Sequence, residues 1–217
     1  MDVFRTLVGL IRDNTLSVAI VASLKRIIVG YSISIVIGVI IGLTIARFKY
    51  LEENLGPLIL GLQTLPSICW LPFAILWYGL SESSIIFVIA IGSTFAVAIG
   101  VKYAIKNVNP LYIRAARTMG AKGRKVYTQV ILPAALPDIV SGLKQGWSFA
   151  WRALMAGEML SSTKGLGQVL MVGRDLADIS QVVAVMIVII TLGLLVDKLI
   201  FERLEKNTRH KWGLDRA

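Results

Sequence analysis

The chain has 217 residues, 56% of them hydrophobic, with a formal net charge of +10 and a mean hydropathy of +0.73. A soluble domain of this length has too little interior to hide that much apolar surface. The positive charges fall between long apolar runs rather than on one face, which argues against nucleic acid as a partner. Cys69 and His210 are each the only residue of their kind, so an intrachain disulfide and a zinc site built from His and Cys are both excluded.

Each apolar run is about as long as a bilayer core is thick, roughly 20 helical residues. The pattern predicts an all-α integral membrane fold with about five transmembrane helices. Residues 1–22 mix apolar and charged positions and read as an amphipathic helix at the interface or as a flexible lead-in. Arg12, Asp13 and Asn14 break the first apolar stretch, so no cleavable signal peptide is evident. The transmembrane domain is expected over residues 23–201, with spans near 23–46, 55–78, 84–105, 135–160 and 182–201. A basic cytoplasmic tail follows over 202–217. In the first span Gly30, Ser34, Gly38 and Gly42 recur every four residues, which lets a second helix approach closely in lipid; incidental glycines on a lipid-facing helix are the alternative. In the second span Pro66 and Pro72 are each expected to kink the helix. Breaks of that kind persist where protein or water covers the freed backbone, which places this span inside the bundle.

Charge sets the orientation. Between the third and fourth spans stand Lys102, Lys106, Arg114, Arg117, Lys122, Arg124 and Lys125. The tail carries Arg203, Lys206, Arg209, Lys211 and Arg216. Both segments belong in the cytoplasm by the positive-inside rule. The turn near residues 79–83 has no Lys or Arg, and after Glu158 only Lys164 and Arg174 stand against Asp175 and Asp178, which suits the outside. An odd number of spans then puts the N-terminus outside, with Lys25 and Arg26 as the contrary pair.

The basic loop, residues 107–133, is too polar to span. Asn109 suits a helix cap and Pro110 the first helical position. A short helix through Ile113, Ala115, Ala116 and Arg117 is expected to stop near Gly120. A second, from about Lys122, is expected to end before Pro133. The small residues leave room for a partner surface, and the cations suit acidic groups or lipid headgroups. A simple positive-inside loop is the alternative.

Ala115-Ala116, Gly120 and Val130-Ile131-Leu132-Pro133 resemble the cytoplasmic EAA loop of permease subunits in bacterial ABC importers. That pattern is Glu-Ala-Ala, a Gly, and an ending of an aliphatic residue, any residue, Leu and Pro; Arg114 here stands in place of the Glu. Leu65-Pro66-Ser67, Leu71-Pro72, Pro133-Ala134-Ala135-Leu136-Pro137 and Ala156-Gly157-Glu158-Met159 with Gly165-Leu166-Gly167 resemble the nitrate, sulfonate, taurine and bicarbonate branch. Relatives usually have one more N-terminal span, so a trimmed peripheral helix is expected. The resemblance implies a type I ABC importer permease-like bundle with cytoplasmic coupling helices, in the inner membrane, importing a small anionic solute. It implies a second copy of the permease, two ATP-binding cassette subunits and an extracytoplasmic substrate-binding protein. Arg114, Ala115, Ala116, Arg117, Gly120, Leu132 and Pro133 then couple to the ATPase. ATP and Mg belong to that partner, and no cofactor is expected on this chain. No G-x-x-x-x-G-K-[ST] phosphate loop is present, and no nucleophile–base arrangement suggests an enzyme. A stand-alone secondary transporter or channel, and a membrane scaffold without a transport path, are the rival readings.

On the fourth span Ser141, Gln145, Ser148 and Arg152 share one helical face, with Lys144 at its edge. Polar groups inside a membrane face protein or water. This face, with Glu158 beyond it, is expected to line the translocation path, where Arg152 attracts an anion. The alternative is that Arg152 pairs with Glu158, with backbone carbonyls, or with outer headgroups. Trp70, Trp77, Trp147 and Trp151 read as packing or interface anchors, Cys69 as filler, and Asp138 and Asp197 as solvated or capping groups.

Overall fold

A computed structural model describes residues 2–211, all helices and turns. Four helices are long and apolar enough to cross a membrane: Thr15–Arg47, Glu82–Lys106, Arg124–Leu160 and Ile179–Thr208. A fifth crossing is possible through Lys49–Thr64 and Ser67–Tyr78, which meet at a bend of 98°.

Helix α1 (Asp2–Arg12) ends at Asn14, whose left-handed backbone (φ 59°) turns the chain into α2 (Thr15–Arg47). The expected lead-in of residues 1–22 is therefore two pieces, and the first span begins at Thr15 rather than near Ser23. The reason lies in Leu16, Ala19 and Ile20, which continue the apolar face toward the N-terminus and pack with Leu7 and Leu10 of α1 against Leu166, Val169 and Val185. This α1 is a docked helix, not a flexible lead-in.

The core is a three-helix stack, with α5 (Glu82–Lys106) between α2 and α8 (Leu132–Leu160). Small residues make it possible. A Cβ on Gly30 would sit 2.8 Å from Ile89 Cβ, one on Gly38 2.8 Å from the Thr94 carbonyl oxygen, and one on Gly42 2.6 Å from the Ala98 carbonyl oxygen. Ser34 completes the stripe: its Oγ lies 2.8 Å from the Ala90 carbonyl and 2.6 Å from Ser93 Oγ. On the other side of α5, a Cβ on Gly100 would meet Gly142 Cα at 2.7 Å, so those two backbones touch. Close backbone approach of this kind replaces the hydrophobic drive that is missing between helices in lipid. Below this level Tyr31 donates to the Leu143 carbonyl at 2.5 Å and packs edge-on against Trp147 (5.4 Å).

The second span departs from expectation. It breaks between α3 (Lys49–Thr64) and a 3₁₀ turn (Ser67–Trp70) that runs into α4 (Leu71–Tyr78). Pro66 stands at the break, with its own backbone and that of Leu65 extended. Pro72 does not kink anything: it lies in the first turn of α4, where a missing N–H costs nothing. Nor does α3 lie inside the bundle, since Ile59 is its one buried residue. It is an edge helix, tied to α5 by Glu52, which pairs with Lys106 Nζ at 2.5 Å and Lys102 Nζ at 3.5 Å.

The loop after α5 holds α6 (Pro110–Thr118). A short α7 (Arg124–Val126) does not end before Pro133 but widens into a π-helical turn (Tyr127–Ile131) and continues as α8. Pro133 has no N–H and would crowd the carbonyl one α-turn back. The π turn, closed by the Leu132 N–H on the Tyr127 carbonyl, absorbs that conflict without breaking the helix. Helix α9 (Leu166–Asp175) and the largely exposed α10 (Ile179–Val196) follow, α10 capped by Asp178 through the Gln181 N–H at 3.0 Å. A second π turn (Asp197–Phe201) leads into α11 (Glu202–Lys211). The tail is thus helical to Lys211; Arg216 lies outside the described residues.

Candidate functional site

The knob after α5 is built as its residues dictate. Asn109 Oδ1 accepts from the Leu111 N–H at 2.9 Å, and Pro110 opens the helix. At the other end the Met119, Gly120 and Ala121 N–H groups bond the Ala115, Arg117 and Ala116 carbonyls. Gly120 has φ +90°, a conformation that excludes most side chains. Ala115, Arg114, Arg117 and Gly120 are exposed, as are Leu111, Tyr112 and Met119 (88%). A cavity of about 480 Å³ lies between Ala115, Ala116 and Met119 on one side and Gln129, Val130 and Ala134 on the other. Leu132 and Pro133 lie not on the knob surface but half-buried in the first turn of α8, behind the π turn on which α6 packs. Among the described residues no carboxylate lies within 4.0 Å of Arg114 or Arg117.

Along α8, Ser141, Gln145, Ser148 and Arg152 form an exposed polar face, with Asp138 on the same side. Lys144 turns away from it to Asp197 at 3.1 Å, so the charges of both belong to the joint between α8 and the last helix. Asp197 is an ion-pair partner rather than a solvated cap.

Glu158 does not line this face either. It is fully buried, with its carboxylate 2.8 Å from Arg26 Nη1 and 2.8 Å from Ser23 Oγ, and it accepts from the Gly167 N–H at 3.0 Å. Ser23 Oγ in turn accepts from the Leu166 N–H at 3.0 Å. Arg26, also buried, reaches Glu82 with its other terminal nitrogen at 3.0 Å. The carboxylate fills the space where a side chain on Gly165 would stand, and Glu158 Cβ and the adjoining helix backbone fill that of Gly167. That is the physical content of the Ala156–Met159 and Gly165–Gly167 motifs: a buried charge nested by glycine backbone. Sequence reasoning missed the partner Arg26, whose only signal was a cation in an apolar run.

Arg152 has no carboxylate within 4.0 Å among the described residues. Its Nε donates to the Ser148 carbonyl at 3.1 Å, and its guanidinium lies 4.4 Å from the Phe149 ring centre. It faces the break in the second span. Arg152, Phe149 and Ala156 form one wall of a cavity of about 390 Å³, and Gln63, Pro66, Ser67 and Ile68 line the other. Ser67 holds the break in place: a Cβ on Gly92 would fall 2.8 Å from its Oγ and 3.2 Å from Ala153 Cβ, so break, α5 and α8 meet there.

An all-helical bundle of long apolar helices, with a polar face on a core helix and a basic knob at one end, is the architecture of a multi-span membrane protein. Residues 34–210 match the family described as the binding-protein-dependent transport system inner membrane component, and the chain belongs to it. It is 36% identical over 191 residues to a provisionally named ABC transporter permease protein of Methanocaldococcus jannaschii, covering 88% of this chain and 70% of that one. It is 31% identical over 188 residues to the nitrate import permease protein NrtB of Synechocystis sp., covering 87% of this chain and 68% of the relative. The fold matches that of an inward-facing methionine ABC transporter, MetNI, with a TM-score of 0.75 at 20% identity over 86% of this chain and 93% of that chain. The chain is a permease subunit of an ABC importer.

Proposed function

We propose that two copies of this permease form the path for a small anionic solute, each bound through its knob to an ATP-binding cassette subunit that holds the ATP and Mg. The observation that carries this reading is mechanical continuity. The knob helix α6 packs on the π turn, and the helix that contains that turn, Arg124–Leu160, also carries the polar face. A pull on Ala115 and Ala116 therefore acts on Ser141, Gln145 and Ser148 through one rigid element. Closure of the two ATPases draws the knobs together and switches the bundle from inward to outward access. The knob end lies in the cytoplasm of the inner membrane with the C-terminus, and α1 lies outside, where a substrate-binding protein docks near residues 79–83 and 165–178. The pairing of Arg26 with Glu158 and Glu82, with Lys25 4.0 Å from Glu82, offsets the contrary pair in that topology. The solute class is supported by relatives named for nitrate import and, in Escherichia coli, for taurine transport.

A stand-alone secondary transporter is disfavoured by the scarcity of free carboxylates. Glu52, Glu158 and Asp197 are each engaged with a Lys or Arg, which leaves Asp138 as a single carboxylate on the polar face of α8. The test is Ala116→Trp in the complex co-expressed with its ATPase. Wild type should copurify with the ATPase, and the variant should lose it or lose at least about tenfold in uptake at normal membrane levels. Unchanged uptake, or no ATPase with the wild type, contradicts the reading.

A further inference from the structure

We infer that the cavity between Arg152 and the break in the second span is an oxyanion subsite, filled by the transported solute as it passes. The inference rests on the permease reading above and adds to it a place and a chemical class. Charge neutralisation carries it. In the spans Arg26, Lys102 and Lys144 each face a carboxylate at 2.8, 3.5 and 3.1 Å. Arg152 faces none among the described residues, and an uncompensated cation inside a membrane protein is expensive. A second copy that meets this one along α8 brings no carboxylate of that helix to the depth of Arg152. On α8 the carboxylates are Glu158, which is fully buried, and Asp138, fourteen residues and so about 21 Å along the helix. The counter-charge is therefore one that comes and goes.

The cavity suits an oxyanion in shape and donors. The Nε of Arg152 is held by the Ser148 carbonyl and its flat face by Phe149, which leaves the two terminal amino groups for a ligand. A guanidinium offers paired donors that match two oxygens of a planar or tetrahedral anion. Across the cavity the helix Ser67–Tyr78 begins; its Cys69 N–H bonds the Pro66 carbonyl at 2.9 Å, which leaves the Ser67 and Ile68 N–H groups without an acceptor in the turn. Gln63 adds a buried amide oxygen without a partner, in a group that can turn either end inward. About 390 Å³ admits nitrate, bicarbonate or a short sulfonate with water. Lipid phosphate offers the same chemistry, and the two lipid compositions of the experiment separate that source from the solute. Discrimination against cations then belongs partly to the permease and not only to the binding protein.

The experiment uses the whole importer, with ATPase and binding protein, in phosphatidylcholine vesicles and in vesicles enriched in phosphatidylglycerol. Initial uptake of nitrate, bicarbonate, methanesulfonate and taurine is measured for wild type, Arg152→Gln and Arg152→Lys. For an anion the wild type imports, Arg152→Gln should raise KM about tenfold or more, with a smaller effect on maximal rate and partial recovery in Arg152→Lys. An unchanged KM overturns the subsite. So does an equal loss of maximal rate in both variants at constant KM, which marks a structural arginine, or a defect that appears only in one lipid, which marks a headgroup site. If the wild type imports none of the four solutes, the solute class proposed above fails with it; if it imports one and KM does not move, only the subsite fails.

Discussion

At the residue scale the most consequential side chain is Glu158, held by Arg26, Ser23 and the Gly167 N–H without exposure to solvent. Such a pair adds little over an apolar replacement, but removing one partner strands the other charge, at a cost of about 3–5 kcal/mol. Glu158→Ala should therefore lower stability by about that amount in a denaturant or thermal melt of the purified complex, whereas Arg26→Met with Glu158→Leu should recover most of it. A single substitution as mild as the double one would show that the pair carries no such burden. None of this pairing was legible in the sequence. Glu158 stood out through its glycine-rich neighbourhood, but its partners lie 132 and 135 residues away, and no helical spacing connects them. Lys144 and Asp197 were hidden for the same reason.

At the element scale the sequence spoke most clearly where period and packing coincide. Gly30, Ser34, Gly38 and Gly42 are one face of α2, and that face is where α5 lies. Gly38→Leu should cut the yield of folded protein by about tenfold or more, because the new side chain meets the Thr94 carbonyl and Val97; Gly9→Leu, with nothing within 4 Å of its Cβ, should not. Equal yields would remove the stripe from the packing argument. The prolines were harder to read, because the same residue acts oppositely at different positions. Pro66 marks the break, Pro72 starts a helix, and Pro133 stays within a helix that widens to hold it. Replacing Pro133 by Ala permits an ordinary α-turn there and shifts the knob by one residue, about 100°, relative to the polar face. More ATP should then be hydrolysed per solute imported, and an unchanged ratio would show that the π turn has no part in coupling.

On the scale of the whole molecule, the chain leaves a polar face open on a core helix, a broken span at its edge and a knob with a small-residue surface. Each makes sense only with a further chain or a water-filled path against it. Span number and the basic loop were legible because bilayer thickness and charge bias act on short stretches of sequence. The arrangement of the spans was not, because it depends on contacts between distant segments. Orientation follows from charge alone and can be read directly. In a Cys69→Ser background, a cysteine at Ser83 should react with an impermeant thiol reagent from outside intact cells and one at Lys122 only after lysis; the reverse pattern would invert the topology.

The central claim is that this chain moves solute only when a separate ATPase drives it through the knob. Uptake of nitrate or taurine into vesicles containing the permease, its ATPase and the binding protein measures that most directly, with ATP and Mg supplied on the knob side. Uptake should require all three proteins and hydrolysable ATP and should vanish when ATP is placed on the opposite side. Uptake by the permease alone, at the same rate with or without ATP, would contradict it.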